Sequence, residues 1–235
     1  MALSLPPREL TIGILALQGA FAEHQASLER LNLNRELRVL QVRTSQDLDQ
    51  CDALIIPGGE STTIALLARL SGLLEPLKSF VKTKPVWGTC AGAILLSQAV
   101  TGVKKGGQEV LGGMSISIAR NGWGSQVESF EAPLQVEGLR DSGHPFTGVF
   151  IRAPVILSLK NSPNDPPIQI VARLPHDLVP KSLIDQAEEV DRDATAIVAI
   201  RQGMHLLTTF HPELTRDDRF HEYFVHECVL KTQRL

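Results

Sequence analysis

A cysteine flanked by small residues and glycines is the first feature of this sequence that could do chemistry. Residues 88–92 read GTCAG, a G-x-C-x-G pattern between a predicted short strand and a predicted helix. This is the geometry of a nucleophile elbow, a sharp turn that lifts the central side chain above the sheet edge. The helix N-terminus favours a thiolate at Cys90, and the Ala91 N–H is a natural oxyanion donor. A buried structural cysteine at a glycine-lined turn is the alternative.

A histidine and a glutamate lie two residues apart in the segment FHPE, residues 210–213. In extended chain such residues point to the same side, so His211 and Glu213 can both face a cleft. A nucleophile needs a base, and the base needs a partner that orients it. Cys90, His211 and Glu213 therefore form a candidate catalytic triad, although a surface histidine beside a charged residue would give the same pattern.

A glycine-containing loop, PGGES at residues 57–61, also follows a predicted strand and precedes a predicted helix. Free N–H groups in such a loop can hold an anion or a developing oxyanion. The loop is too short for a phosphate-binding G-x-x-x-x-G-K motif, and no lysine follows it. The alternative is a plain turn in which Ser61 caps the helix.

Other polar residues give weaker signals. Arg120 and Arg152 end predicted strands and could bind a carboxylate, although arginines there are more often simply solvated. Six histidines have no partner at a telling spacing, and we interpret each as structural or exposed: 24, 144, 176, 205, 221 and 226. Cys51 and Cys228 fit core or boundary positions.

Composition limits the classes of protein that this chain can represent. The 235 residues carry a net charge of −3, which gives no basic surface for nucleic acid. No apolar run approaches the roughly 18 residues of a membrane span. Three cysteines indicate neither a disulfide framework nor a zinc site. We therefore expect a cytoplasmic protein with no nucleic acid or membrane partner, and we predict no metal and no cofactor.

The pattern of apolar runs predicts an α/β fold in three layers, with a mostly parallel central sheet and helices on both faces. In the first half, strands are predicted at residues 10–17, 39–42, 53–56 and 86–87, and helices at 21–31, 62–70 and 91–100. In the second half, strands are predicted at 114–120, 126–130, 149–152, 168–174, 196–200 and 205–210, and a closing helix at 217–231. Residues 161–167 and 175–193 are predicted to be surface excursions. We expect one domain over residues 1–235, with its core at about 10–229.

The motifs together resemble a known family. GTCAG with HPE is the signature of the class I, triad-type glutamine amidotransferases. Other segments resemble one branch of it, the glutaminase subunits of pyridoxal 5′-phosphate synthases: residues 17–20 (LQGA) with 23–24 (EH), 57–63 (PGGESTT), 148–154 (GVFIRAP) and 210–215 (FHPELT).

The resemblance implies a flavodoxin-like class I glutaminase fold and hydrolysis of the linear amide of L-glutamine to L-glutamate and ammonia. Cys90 would be the nucleophile, with His211 and Glu213 completing the triad. A separate barrel-shaped synthase subunit would receive the ammonia and make pyridoxal 5′-phosphate, which is vitamin B6. Gly59 and Ala91 would supply oxyanion donors. The positions that match glutamine contacts are Gly59, Glu60, Ser61, Arg120, Ile151 and Arg152.

Two other functions remain open from the sequence. One is a glutaminase that serves another class I amidotransferase system, or a cysteine hydrolase acting on γ-glutamyl substrates. The other is a non-catalytic module on the same fold, against which the intact Cys90, His211 and Glu213 argue.

Overall fold

Strands and helices alternate along the first half of the chain. The structure is a computed structural model, and it describes residues 9–102, 107–120, 122, 129–160, 162–175, 178–179 and 192–233. The first elements are β1 (Leu10–Leu15), α1 (Phe21–Glu29), β2 (Leu37–Val42), α2 (Ser45–Asp49), β3 (Ala53–Ile56), α3 (Ser61–Leu70), α4 (Leu74–Thr83), β4 (Val86–Thr89) and α5 (Ala91–Leu96).

The second half is rich in strands and ends in a helix. Its elements are β5 (Ser97–Thr101), β6 (Met114–Ala119), β7 (Ser129–Leu134), β8 (Phe146–Ile151), β9 (Val155–Leu159), β10 (Ile168–Arg173), α6 (Arg192–Thr195), β11 (Ile197–Gln202) and β12 (His205–Thr208). The chain then forms a 3₁₀ turn at Pro212–Leu214, helix α7 (Arg219–Tyr223) and a π-helical continuation at Phe224–Leu230.

A seven-stranded sheet is the centre of the fold, in the order β10-β11-β12-β4-β3-β1-β2. The pairs from β12 to β2 are all parallel, and only β10-β11 and β11-β12 are antiparallel. The hairpin between β11 and β12 turns at Gly203, which has φ +57°. The predicted mostly parallel α/β architecture is confirmed. Two smaller sheets, β5-β6-β9 and β7-β8, accompany the central one.

Each face of the central sheet has its own hydrophobic core, because successive strand side chains point to opposite faces. In β3, Ala53 and Ile55 pack with Leu28 of α1 and Phe224 of the C-terminal helix. The alternate residues Leu54 and Ile56 join the core that contains α3, α4 and α5. All four β3 side chains are buried, which is why this strand reads as an uninterrupted apolar run.

The structure corrects the predicted helix at residues 91–100. Helix α5 ends at Leu96, because Ser97 is extended and its hydroxyl donates to the Ile94 carbonyl at 2.8 Å. Residues 97–101 instead form β5, which pairs in parallel with β6. Strand β9 was not predicted, and it pairs antiparallel with β6.

Smaller differences concern ends and caps. Helix α3 is capped by Glu60, not by Ser61, since the Glu60 carboxylate accepts from the Thr63 N–H at 2.7 Å. Of the predicted strand 126–130, the first three residues lie outside the described part, as does most of 175–193. Among the described residues, no helix is long and apolar enough to cross a membrane.

Candidate active site

The three sequence motifs meet at one edge of the central sheet. The PGGES loop follows β3, Cys90 follows β4, and His211 is the third residue after β12. These three strands are neighbours and run parallel, so their carboxyl ends lie side by side. Clefts at the carboxyl ends of parallel strands are where open α/β sheets bind ligands.

Cys90 occupies a tight corner between β4 and α5. Its backbone has φ +47° and ψ −101°, a region that L-residues rarely adopt, and its N–H donates to the Thr208 carbonyl at 2.9 Å. The chain on either side is closely packed, because a Cβ at Gly92 would lie 2.0 Å from the Ile56 carbonyl oxygen. The predicted elbow is therefore present, with Cys90 at its apex.

His211 and Glu213 form a buried hydrogen-bonded pair. His211 Nδ1 lies 2.7 Å from a Glu213 carboxylate oxygen, Oε1, and the His211 N–H donates to the Val149 carbonyl at 2.8 Å. Burial by itself lowers the pKa of His211, but hydrogen bonds with Cys90 and Glu213 outweigh burial and raise it to about 10. With Nδ1 bonded to Glu213, Nε2 is the ring nitrogen available for the hydrogen bond with Cys90.

A cavity of about 490 Å³ opens beside Cys90. It is lined by Gly59, Glu60, Ser61, Cys90, Ala91, Ile94, Arg120, Ile151, Arg152 and His211. Every predicted site residue except Glu213 is in this lining, and Glu213 lies behind His211. Ile94 was not predicted. The Cys90 Sγ lies 4.0 Å from the Ile151 carbonyl oxygen.

The loop after β3 packs against both Cys90 and His211. A Cβ at Gly58 would lie 2.3 Å from His211 Cε1 and 3.4 Å from Cys90 Cβ. The Gly58 carbonyl accepts from the Ala20 N–H at 3.0 Å, and Gln18 Oε1 accepts from the Glu60 N–H at 2.8 Å. Because C=O and N–H point in opposite directions in a trans peptide, the Gly59 N–H points away from Ala20.

An ion pair forms one wall of the cavity. Arg120 donates to Glu60 Oε1 at 2.6 Å, and Thr62 and Thr63 donate to Oε2 of the same carboxylate. Burial raises the pKa of Glu60, but the hydrogen bonds from Thr62 and Thr63 outweigh it and lower the pKa to about 2. Glu60 is therefore ionised, and Arg120 is held in place at the cavity.

Two groups of residues near the site were given no role in it from the sequence. Gln108 Oε1 accepts from Arg120 at 3.1 Å and from the Ser61 hydroxyl at 3.1 Å, although its polar surroundings in the sequence give no sign of this role. His24 and His221 are fully buried behind Glu213. Their sequence separation of 197 residues hides the contact between them.

A larger groove, of about 940 Å³, lies elsewhere on the described surface. Paired charges line much of it, including Arg30 with Asp218 and Arg140 with Glu222. It contains none of the three triad candidates, so size alone does not identify the candidate active site.

Comparison with known proteins agrees with this geometry. The SNO glutamine amidotransferase family matches residues 14–230. The "Probable pyridoxal 5′-phosphate synthase subunit PDX2" of Arabidopsis thaliana is 44% identical over 225 residues, covering 92% of this chain and 85% of the relative. The "Pyridoxal 5′-phosphate synthase subunit PdxT" of Chloroflexus aurantiacus is 42% identical over 217 residues, covering 92% of this chain and 99% of the relative.

Solved structures agree on the fold. A crystal structure of a glutamine amidotransferase superposes with a TM-score of 0.71 at 40% identity, covering 91% of this chain and 96% of the other. The structure of PurLQS from Thermotoga maritima shares the fold, with a TM-score of 0.53 at 14% identity. The match covers 96% of this chain and 98% of the other. The chain belongs to the SNO glutamine amidotransferase family.

Proposed function

We propose that this chain is the glutaminase subunit of a pyridoxal 5′-phosphate synthase. It hydrolyses L-glutamine to L-glutamate and ammonia, and the ammonia passes to a partner subunit. The observation that carries the proposal is the meeting of Cys90, His211 and Glu213 at one edge of the sheet, in a chain whose relatives bear that subunit name.

Cys90 is the proposed nucleophile. Its thiolate attacks the carbon of the glutamine side-chain amide and forms a tetrahedral intermediate with a negatively charged oxygen. The position at the apex of the elbow supports this role, because the side chain lines the cavity instead of packing wholly into the core.

Two backbone N–H groups are proposed to stabilise that oxygen. Ala91 is the first residue of α5, and the first N–H groups of a helix have no acceptor within the helix. The Gly59 N–H lies on the side of its peptide opposite to the bond between Gly58 and Ala20. One well-placed oxyanion donor lowers the barrier by about 3 kcal/mol.

His211 is the proposed acid and base. Its imidazolium protonates the departing ammonia, since an amide nitrogen leaves poorly without a proton. The neutral ring then takes a proton from water, which hydrolyses the glutamyl thioester and releases glutamate. Glu213 holds Nδ1, so that Nε2 carries the proton that moves.

The remaining lining residues suit a zwitterionic amino acid. The ionised Glu60 can accept from an α-ammonium group, and Arg120 and Arg152 can donate to an α-carboxylate. Gly59, Ser61 and Ile151 complete the proposed binding site.

The partner in this proposal is a barrel-shaped synthase subunit that accepts the ammonia. A cytoplasmic location is part of the same proposal and is supported by three free, buried cysteines. Nucleic acid and membrane play no part in it.

The test is glutamate release from glutamine, measured with and without the synthase subunit. We expect weak activity from the isolated chain and a higher kcat with the synthase, because binding of the partner can adjust the Gly59 peptide and one oxyanion donor lowers the barrier by about 3 kcal/mol. An unchanged kcat would contradict the activation. No glutamine hydrolysis with the synthase present, or equal turnover of larger γ-glutamyl peptides, would contradict the proposed function.

The pH dependence of kcat/KM should reflect the raised pKa of His211. A group with a pKa of about 10 is protonated at lower pH and loses its proton as the pH rises through that value. We therefore expect kcat/KM to stay level through mildly alkaline pH and to fall toward pH 10. In Glu213→Gln the fall should come at lower pH, because one of the partners that raises the pKa is gone. An alkaline fall near 6.5 in the wild type, the ordinary imidazole value, would contradict this.

A further inference from the structure

Behind Glu213, on the side away from the cavity, lie two histidines that the proposed mechanism does not use. His24 belongs to α1 and His221 to α7, and both are fully buried. His24 Nε2 lies 3.4 Å from Glu213 Oε2, the carboxylate oxygen that does not bind His211. His24 Nδ1 lies 2.9 Å from His221 Nε2.

The protons in this row can be assigned from its chemistry. Burial lowers the pKa of His24 and of His221 to about 3, so both rings are neutral near pH 7. Burial raises the pKa of Glu213, but the hydrogen bond and the positive charge of His211 oppose burial, and the pKa lies below its ordinary value. Glu213 is therefore a carboxylate, which can only accept hydrogen bonds.

The carboxylate fixes the tautomer of each neutral ring in turn. His24 must carry its proton on Nε2, facing Glu213 and the Thr89 hydroxyl at 3.1 Å. Its Nδ1 is then a bare acceptor, which requires a proton on His221 Nε2. His221 Nδ1 is left as a buried acceptor without a hydrogen bond among the described residues. In this assignment the atom without a hydrogen bond is His221 Nδ1, at the end of the row away from Glu213, and Glu213 has the His24 Nε2–H beside it.

We propose that His24 is a positioning residue for Glu213: its Nε2–H holds the second carboxylate oxygen while the first orients His211. This inference rests on the proposed function. Within the described residues, Glu213 Oε2 is buried and has no hydrogen bond of ordinary geometry, which makes the His24 contact its available donor. Such contacts are often long without substrate and shorten in the reacting complex.

The same helix also anchors the other side of the site. The segment that leads into α1 supplies the Ala20 N–H that binds the Gly58 carbonyl, four residues before His24. Thr89, which contacts His24, directly precedes Cys90. His24 therefore lies next to Glu213, which orients the proposed acid, and next to Thr89, which precedes the proposed nucleophile. It also follows the segment that binds the oxyanion loop, and this location favours a positioning role over simple space filling.

The test compares His24→Met with His24→Gln, both assayed with the synthase subunit present. Methionine fills a similar volume without a donor, whereas the glutamine amide can place an N–H near the position of Nε2. We expect kcat to fall roughly 10- to 100-fold in His24→Met with KM unchanged, as for other groups that orient a functional residue. In His24→Gln we expect most of kcat to return.

His205→Met is the matched control. His205 is another buried histidine, on β12, and its Nδ1 accepts from the Val86 N–H at 3.3 Å. We expect its kcat to stay at the wild-type value even where its Tm changes. If His24→Met does not fold, His24→Asn replaces it, because the shorter amide cannot reach Glu213, and the same loss is expected.

The outcomes separate three cases. A lower kcat in His24→Met with recovery in His24→Gln, at similar Tm, supports the positioning role. Equal losses in both variants that track Tm indicate a structural role and overturn it, as does a wild-type kcat in His24→Met. A wild-type chain that releases no glutamate with the synthase overturns the proposed function itself.

Discussion

Replacement of Cys90 by alanine should lower glutamine hydrolysis in the presence of the synthase by at least about 10⁴-fold. The variant keeps the cavity, the oxyanion donors and His211, but no atom can form the thioester. Alanine fits where cysteine sat, so we expect the fold and glutamine binding to persist. The measurement is glutamate release per subunit, together with binding of glutamine by calorimetry.

Cys51→Ala provides the matched control for this prediction. Cys51 and Cys228 are also buried, but burial raises the pKa of both thiols to about 12, so neither is a thiolate at neutral pH. We expect Cys51→Ala to keep the wild-type kcat. Substantial activity in Cys90→Ala, with loss in Cys51→Ala, would show that the triad is wrongly assigned.

Replacement of Gly92 by alanine should lower the free energy of unfolding by about 3 kcal/mol, as severe overpacking does. The new Cβ would lie 2.0 Å from the Ile56 carbonyl oxygen and 3.1 Å from Ile56 Cβ. Backbone cannot rotate away as a flexible side chain can, so α5 must move off β3. That shift also displaces the Ala91 N–H, and kcat should fall even in the folded fraction. Urea denaturation and the glutaminase assay measure the two effects.

Gly143→Ala is the control, because a Cβ at Gly143 meets no atom of the described residues within 4 Å and its backbone is not left-handed. We expect a change in stability within about 0.5 kcal/mol, as for an ordinary surface substitution. Equal stability changes at positions 92 and 143 would mean that the elbow is looser than the structure describes.

Much of the fold could be predicted because local patterns dominate it. The apolar run of β3 has the predicted boundaries, and the strand-turn-helix alternation gives the parallel sheet. The sequence analysis also missed the local helices α2 and α4, whereas the two missed strands depend on long-range pairing. Residues 97–101 continue a helix-like apolar run, and only pairing with β6 makes them a strand. Strand β9 pairs with β6 across about 40 residues of chain. The single-domain organisation stays a prediction.

The candidate site likewise has residues that could be predicted from local motifs and residues that could not. Cys90, and His211 with Glu213, lie in short local motifs, so their residue types and spacing indicated a triad. The supporting residues could not be found like this, because their contacts join distant parts of the chain. His24 meets His221 across 197 residues, and Gln108 meets Ser61 across 47. Only the folded sheet brings such residues together.

The left-handed backbone at Cys90 has a consequence for protein engineering. A non-glycine residue at φ +47° costs of the order of 1 kcal/mol or more, and glycine would avoid that cost. Activity and thermodynamic stability therefore favour different residues at this corner. A design procedure that ranked substitutions by relief of backbone strain would select position 90 early, and would remove the sulfur of the proposed nucleophile to gain a more stable protein.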